Sequence, residues 1–203
     1  MTLSVDLFFS FRSPYSYLAL PRTMKIVAEY DVTVHLRPVY PLAVRVPGFF
    51  KRANPQFLRY IALDAPRVAE HANIPYRAPR PDPIVQDLTT LDVAEHQPYI
   101  HRLTRLGAAA QLDGRALEFA RAISKVLWDG SVTGWHEGDH LANAAAAAGF
   151  DLAAMTPPSS PIPIAMSGSL RATNRTTPPP AIGACPLSCS KTSRSSARTA
   201  SIS

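Results

Sequence analysis

Cysteine is absent from the first 155 residues of this 203-residue chain, and its two cysteines, Cys185 and Cys189, lie close to the end. The body of the protein therefore has no disulfide framework, which agrees with a reducing, cytoplasmic location. Long apolar runs are missing too, since none reaches the roughly 18–20 residues that a membrane helix needs. Met1-Thr2-Leu3-Ser4-Val5-Asp6 lacks a basic opening and leads into a short, interrupted apolar stretch, so a secretory signal is not expected. Thr156–Ser203 contains no Asp, Glu, Phe, Tyr or Trp, while carrying 5 basic residues, 8 of the 20 prolines, 11 serines and 6 threonines. Too few side chains there can offset chain entropy, and this composition predicts disorder for 156–203. Most of the net charge of +6 belongs to that tail, because residues 1–155 carry 16 basic and 15 acidic residues. The basic balance is weak grounds for a nucleic-acid partner, and neither specific nucleic-acid binding nor a membrane is expected.

What remains can fold. Hydrophobic residues make up 46% of the chain, enough for one domain with its own core. Leu3–Phe11 is rich in β-branched and aromatic residues and reads as a mostly buried strand. Ser13-Pro14 is a helix start, with a hydroxyl able to cap free amides and a proline suited to the first helical position. A helix over Tyr15–Tyr30 and a second strand over Asp31–Val39 follow. Strand, helix and strand in this order imply a parallel pair joined by a crossover. The middle reads as helical over Pro55–Ala72, Leu91–Ala110, Leu112–Trp128 and His136–Ala148, with a proline-rich loop at Pro75–Pro83.

The run Asp6-Leu7-Phe8-Phe9-Ser10-Phe11-Arg12-Ser13-Pro14-Tyr15-Ser16-Tyr17-Leu18-Ala19 closely resembles the opening of the 2-hydroxychromene-2-carboxylate isomerases. These are relatives of the kappa-class glutathione transferases within the DsbA-like thioredoxin superfamily. Further matches are Leu36-Arg37-Pro38, Phe50-Lys51-Arg52-Ala53-Asn54, Arg59-Tyr60, Ile74-Pro75-Tyr76-Arg77 and Val126-Leu127-Trp128-Asp129-Gly130, spread in family order over residues 3–155. The resemblance implies an α/β, thioredoxin-like (DsbA/kappa-type) fold: a βαβ unit with a helical insertion over residues 1–155. It also implies glutathione as cofactor, a small aromatic-derived substrate, cis–trans isomerisation by reversible addition of a thiolate, and a homodimer.

Ser13 carries the chemistry in this reading. Thioredoxin-type disulfide enzymes place Cys-x-x-Cys at this strand-to-helix turn, where the helix dipole lowers a thiol pKa. Here the turn is Ser13-Pro14-Tyr15-Ser16, and two hydroxyls cannot form a disulfide. The same helix end suits the thiolate of a bound glutathione, held by Ser13 as catalytic and cofactor-binding residue. The alternative from spacing alone is that Ser13 merely caps the helix; Ser16, one turn in, reads as structural. By the resemblance, Asn54 approaches glutathione and Lys51 the substrate carboxylate, for which a lysine is a suitable point charge. A solvated loop with ordinary surface charge is the competing account of both, and the chain is one residue shorter than the usual pattern between them. Tyr40 and the Pro81-Asp82-Pro83 loop are further candidates for a pocket wall, while Trp128 reads as core.

His136-Glu137-Gly138-Asp139-His140 satisfies the H-E-x-x-H pattern of zinc proteases. It starts just after Gly134-Trp135, contains Gly138 and has no downstream ligand beyond Asp151, so a polar helix start is the better account and no metal is expected. The tail has a reading of its own. Shifted by one base, the codons of Ala181–Ser203 permit GHWGVPTFVFEDEPFFGQDRIDL, the strand, hairpin and helix-start ending expected of the isomerase family. A one-base change near codon 155 would then leave 156–203 out of frame and the C-terminal ββα half missing. Two alternatives to the isomerase stand beside it: a kappa-type glutathione transferase, and a truncated, non-catalytic product with a basic tail that binds anionic surfaces weakly.

Overall fold

The first strand, β1, spans Leu3–Phe9, and β2 spans Val32–Pro38. They pair in parallel from Leu3 opposite Val32 to Phe9 opposite Pro38. The register places Val5 with Val34 and Leu7 with Leu36, so apolar side chains line up on one face while Asp6 and Arg37 share the other in a 2.9 Å ion pair. The computed structural model describes residues 3–155; the readings made for 156–203, disorder and the shifted frame alike, lie outside the described residues. Among the described residues β1 pairs with β2 alone, and contrary to the expectation of a mostly buried strand only Phe9 is buried, Leu7 being half-buried and the rest exposed.

Helix α1, Pro14–Glu29, is the crossover, and it buries Tyr17, Leu18 and Leu20. Two short helices absent from the sequence reading, α2 (Leu42–Arg45) and α3 (Phe49–Arg52), occupy the segment before α4, Pro55–His71. Each is a single turn, too short to display an apolar period. The insertion continues with α5 (Pro98–Leu112), α6 (Ala116–Trp128), α7 (His140–Ala147) and α8 (Leu152–Met155). Helices α5 and α6 pack on β2, and α6 also packs on α1. The shared core gathers Phe9, Phe11, Leu36, Ile100, Leu103, Phe119 and Ile123, all essentially inaccessible to solvent. This is a thioredoxin-like βαβ unit with a helical insertion, in agreement with the sequence reading.

Two expected helices begin late, for physical reasons. The one expected from Leu91 starts at Pro98, because the preceding residues make a tethered loop. Leu91 adopts φ +61°, Gln86 and Val93 form an isolated antiparallel bridge, and the buried Gln97 amide clasps the loop. Val85 N–H donates to Gln97 Oε1 at 2.8 Å, and Gln97 Nε2 donates to the Val85 and Ala94 carbonyls at 2.8 and 2.7 Å. The helix expected from His136 starts at His140, since Gly138 sits at φ +54°. His136 instead packs its ring against Tyr99 and Trp135. The two histidines of the H-E-x-x-H pattern therefore do not share a helical face.

Gly107 on α5 faces the buried ring of Phe11. A β-carbon there would sit 2.8 Å from Phe11 Cε2 and 3.1 Å from Pro38 Cγ. Alanine gains about 1 kcal/mol in helix propensity, but overpacking a rigid core costs about 1–3 kcal/mol. Gly107→Ala is expected to destabilise the protein by about 1 kcal/mol net, seen as a lower urea midpoint at unchanged slope; an equal or higher midpoint would show that the ring can move aside.

Candidate active site

Ser13 stands at the end of β1's connection to α1, as its N-cap, with extended backbone (φ −85°, ψ 121°). Its Oγ accepts from Ser16 N–H at 3.3 Å, and Pro14 takes the first helical position. Capping uses a lone pair of the hydroxyl and leaves its proton available to donate. Capping by Ser13 thus does not preclude a chemical role for its hydroxyl. Pro14 has no N–H, Ser16 N–H goes to Ser13 Oγ and Tyr17 N–H to Ser13 O. Among the described residues this leaves Tyr15 N–H unsatisfied in the first turn, where the helix dipole is positive.

Ser16 acts as the sequence suggested, structurally: its Oγ accepts from Ser10 N–H at 3.3 Å and ties the strand end to the helix. Arg12 is locked by a two-pronged bond to Asp82, Nε to Oδ1 at 3.0 Å and Nη2 to Oδ2 at 2.9 Å. Asp82 Oδ1 also accepts from Ile84 N–H. The Pro81-Asp82-Pro83 loop is thereby fastened beside Ser13, and Trp135 Nε1 holds the same loop by donating to Pro81 O at 2.8 Å.

A cavity of about 810 Å³ opens at this helix end. Ser10, Arg12, Ser13 and Tyr15 line it from the β1–α1 turn, and Phe8, Tyr40, Phe50, Phe57, Tyr76 and Trp128 give it aromatic walls. Trp128 is core as expected, buried and stacked between Tyr17 and Tyr76, yet it also faces the cavity. Ser10 Oγ is shielded from solvent and has no hydrogen-bond partner among the described residues. Asp64 on α4 accepts from Tyr15 O–H at 2.7 Å across the mouth. Burial first, then that bond, raises the Tyr15 phenol far above its ordinary value; it stays protonated and is a donor here. Burial and the nearby Asp129 carboxylate push Tyr17 up to about 12, and its hydroxyl donates to Pro75 O at 2.7 Å.

Of the residues singled out from sequence, Ser13 faces the cavity, as do Tyr40 and Asp82. Lys51 and Asn54 are not among its lining residues. Lys51 lies at the end of α3 and pairs with Asp92 at 2.5 Å, while Asn54 is the N-cap of α4, its Oδ1 accepting from Gln56 N–H at 2.9 Å. Sequence reasoning passed over Arg45, which closes α2 and lines the cavity. Burial lowers its pKa from the ordinary arginine value, the sign of a guanidinium partly withdrawn from water. No pattern around Arg45 marks it, because the turn that aims it is not periodic.

The model of a family described as DSBA-like thioredoxin domain matches residues 4–159. Among solved structures, a 2-hydroxychromene-2-carboxylate isomerase is similar with TM-score 0.58 at 17% identity, covering 84% of this chain and 77% of the other. A Nitrosomonas europaea chain provisionally described as a protein disulfide isomerase is similar with TM-score 0.53 at 15% identity, covering 84% and 76%. At these identities the likeness is one of fold. No curated protein matches the sequence.

Behind Tyr40 its ring meets His101 edge-on, with centroids 5.1 Å apart. Burial first, then the charges of Arg105 and His96, lowers the His101 pKa from 6.5. The folded state therefore binds its proton less tightly than the unfolded chain does, and the stability held by the neutral ring is present above 6.5 and lost as pH falls below it. The wild-type urea midpoint is expected to drop between about pH 7.5 and about pH 5.5, and to drop less in His101→Gln. Equal slopes in the two proteins would assign the acid sensitivity elsewhere.

Proposed function

We propose, from the premise that the chain belongs to the DSBA-like thioredoxin domain family, that it is a glutathione-dependent cis–trans isomerase of a small aromatic-derived compound, with Ser13 as its catalytic residue. The observation that carries this reading is a hydroxyl, not a thiol, at the N-terminus of α1, opening on a large aromatic-walled cavity. Dithiol exchange needs two cysteines at this turn, and residues 1–155 have none.

The residues present fit a thiol-bearing cofactor. Ser13 has its hydroxyl proton to donate, Tyr15 has a free first-turn N–H, and Ser10 Oγ is a buried polar atom lacking a partner among the described residues. Glutathione bound there would supply a nucleophilic thiol, which no side chain of residues 1–155 can provide. The protein's own contribution is to favour the anion: the Ser13 O–H and the positive helix end both stabilise negative charge at this spot. The Arg12–Asp82 lock holds the turn in place, so that little reorganisation accompanies charge development. Lys51 and Asn54 have no part in this reading, being engaged with Asp92 and with the start of α4.

Calorimetric titration with glutathione and an absorbance assay of hydroxychromene carboxylate isomerisation test it together. Ser13→Ala removes both the donor and the cap, with about 1 kcal/mol of stability expected to be lost. Ser13→Asp keeps a capping oxygen but sets a negative charge against the sulfur. The expected outcome is near-native thermal stability in Ser13→Asp with isomerisation reduced on the order of 100-fold or more in both variants. Unchanged turnover in Ser13→Asp would remove Ser13 from the chemistry, and absence of glutathione binding in the wild type would remove the cofactor.

A further inference from the structure

We infer that the mouth of the cavity is an ammonium site, in which Asp64, held by Tyr15 and sharing its helix face with Phe57 and Tyr60, takes the amino group of the thiol-bearing ligand. The assignment rests on the reading of glutathione as cofactor and names the part of it that this corner selects. Four charged residues line the cavity: Arg12, Arg45, Asp64 and Asp82. Arg12 and Asp82 satisfy one another through their two-pronged bond, and Arg45 is engaged in an interaction of its own. Asp64 differs. Its Oδ2 accepts from the Tyr15 O–H at 2.7 Å, and among the described residues no basic side chain pairs with it, Arg59 and Arg67 of its own helix included. A carboxylate can accept about four hydrogen bonds, so this one keeps most of its capacity and its charge at the mouth.

The surroundings suit a cation. Helix α4 turns only alanines, Ala65 and Ala69, into the core, while Phe57 and Tyr60, two turns and one turn before Asp64, line the cavity and remain 41% and 60% exposed. Tyr76, from the loop after α4, lines the same cavity, and Tyr60 and Tyr76 lie within electrostatic reach of the Tyr15 phenol. Aromatic faces attract ammonium groups through their quadrupoles, and a carboxylate beside them adds a charge-assisted hydrogen bond. The site also resolves a conflict at Ser13. Asp64 is one tyrosine side chain away from the end of α1, and its charge opposes the thiolate that the helix end favours. A ligand that brings its own ammonium to Asp64 removes that opposition, and glutathione carries its thiol and its α-ammonium on separate arms.

The test uses the full-length chain, calorimetric titration and two probes: glutathione and glutaryl-cysteinylglycine, which has the same thiol and both carboxylates and lacks only the amino group. Wild type is expected to bind glutathione on the order of tenfold more tightly than the other probe. Asp64→Asn, which keeps an oxygen for the Tyr15 hydroxyl, should bind the two alike. Tyr15→Phe, which leaves the carboxylate but unfastens it, should keep part of the preference, and Asp92→Asn, outside the lining, should keep all of it. Where Asp64→Asn fails to fold by circular dichroism, Asp64→Ser takes its place. Equal binding of the two probes by wild type, a preference that survives in Asp64→Asn or Asp64→Ser, or one lost in Asp92→Asn would each overturn the assignment. The cofactor reading fails differently: a wild type that binds neither probe removes glutathione and the ammonium site with it, whereas equal binding of both removes the ammonium site alone.

Discussion

The hydrogen bond from Trp128 Nε1 to Phe11 O, 3.0 Å long and buried, joins the end of α6 to the turn that carries Ser13. Everything at the site depends on that turn being fixed from behind. Phe11 supplies the rest of the fixing with its ring, edge-on to Phe9 and Phe119 and pressed against Gly107. A buried carbonyl without a donor would cost about 1–3 kcal/mol, so the indole is held to this place as firmly as it holds the backbone. The insertion is therefore more than a cover over a βαβ unit, because α6 reaches back to define where the strand stops and the helix starts.

From this fixed point the polar contacts fan out in sequence order. Ser10 bonds to Ser16, Arg12 to Asp82, Ser13 to Ser16 and Tyr15 to Asp64. Each draws a different element toward the helix end: the strand, the proline-rich loop, the helix itself and α4. The Arg12–Asp82 pair is half-exposed on the carboxylate side, where an ion pair by itself contributes about 1 kcal/mol or less. Its value is positional. The fork has one geometry, and Asp82 is in turn fixed by Ile84 N–H, so the loop can approach Ser13 in one way only.

Sequence legibility followed the range of the forces involved. The βαβ unit was readable because Leu3–Phe11 is rich in β-branched and aromatic residues, because Val32, Val34 and Leu36 obey the period of a strand, and because Ser13-Pro14 announces a helix start by local chemistry alone. Ser13 as the N-cap of α1 was legible for the same reason, and the absence of cysteine from residues 1–155 excludes dithiol exchange at that turn. The start of α5 was not readable, since residues 91–97 carry helix-compatible apolar residues whose fate is decided by the Gln97 clasp on Val85 and Ala94. Lys51 and Asn54 were placed by analogy with a motif, and their local partners, Asp92 and Gln56 N–H, engage them away from the cavity lining. Arg45 was not legible as a wall residue because a four-residue helix has no period.

The charge distribution bears on how such a site can recognise an anion. Residues 1–155 are close to neutral, with 16 basic against 15 acidic side chains, so this part of the chain generates little long-range attraction. Salt at physiological strength screens exposed charges beyond about 8 Å. Any preference for an anion must then come from short range, inside a cavity where apolar walls lower the local dielectric and strengthen each charge. Arg12 cannot supply it without giving up Asp82, and doing so would release the turn that positions Ser13. With the Arg12 fork committed to architecture, the polar group the cavity offers at the helix N-terminus is the Ser13 hydroxyl, and a ligand need not disturb the packing behind Phe11 to meet it.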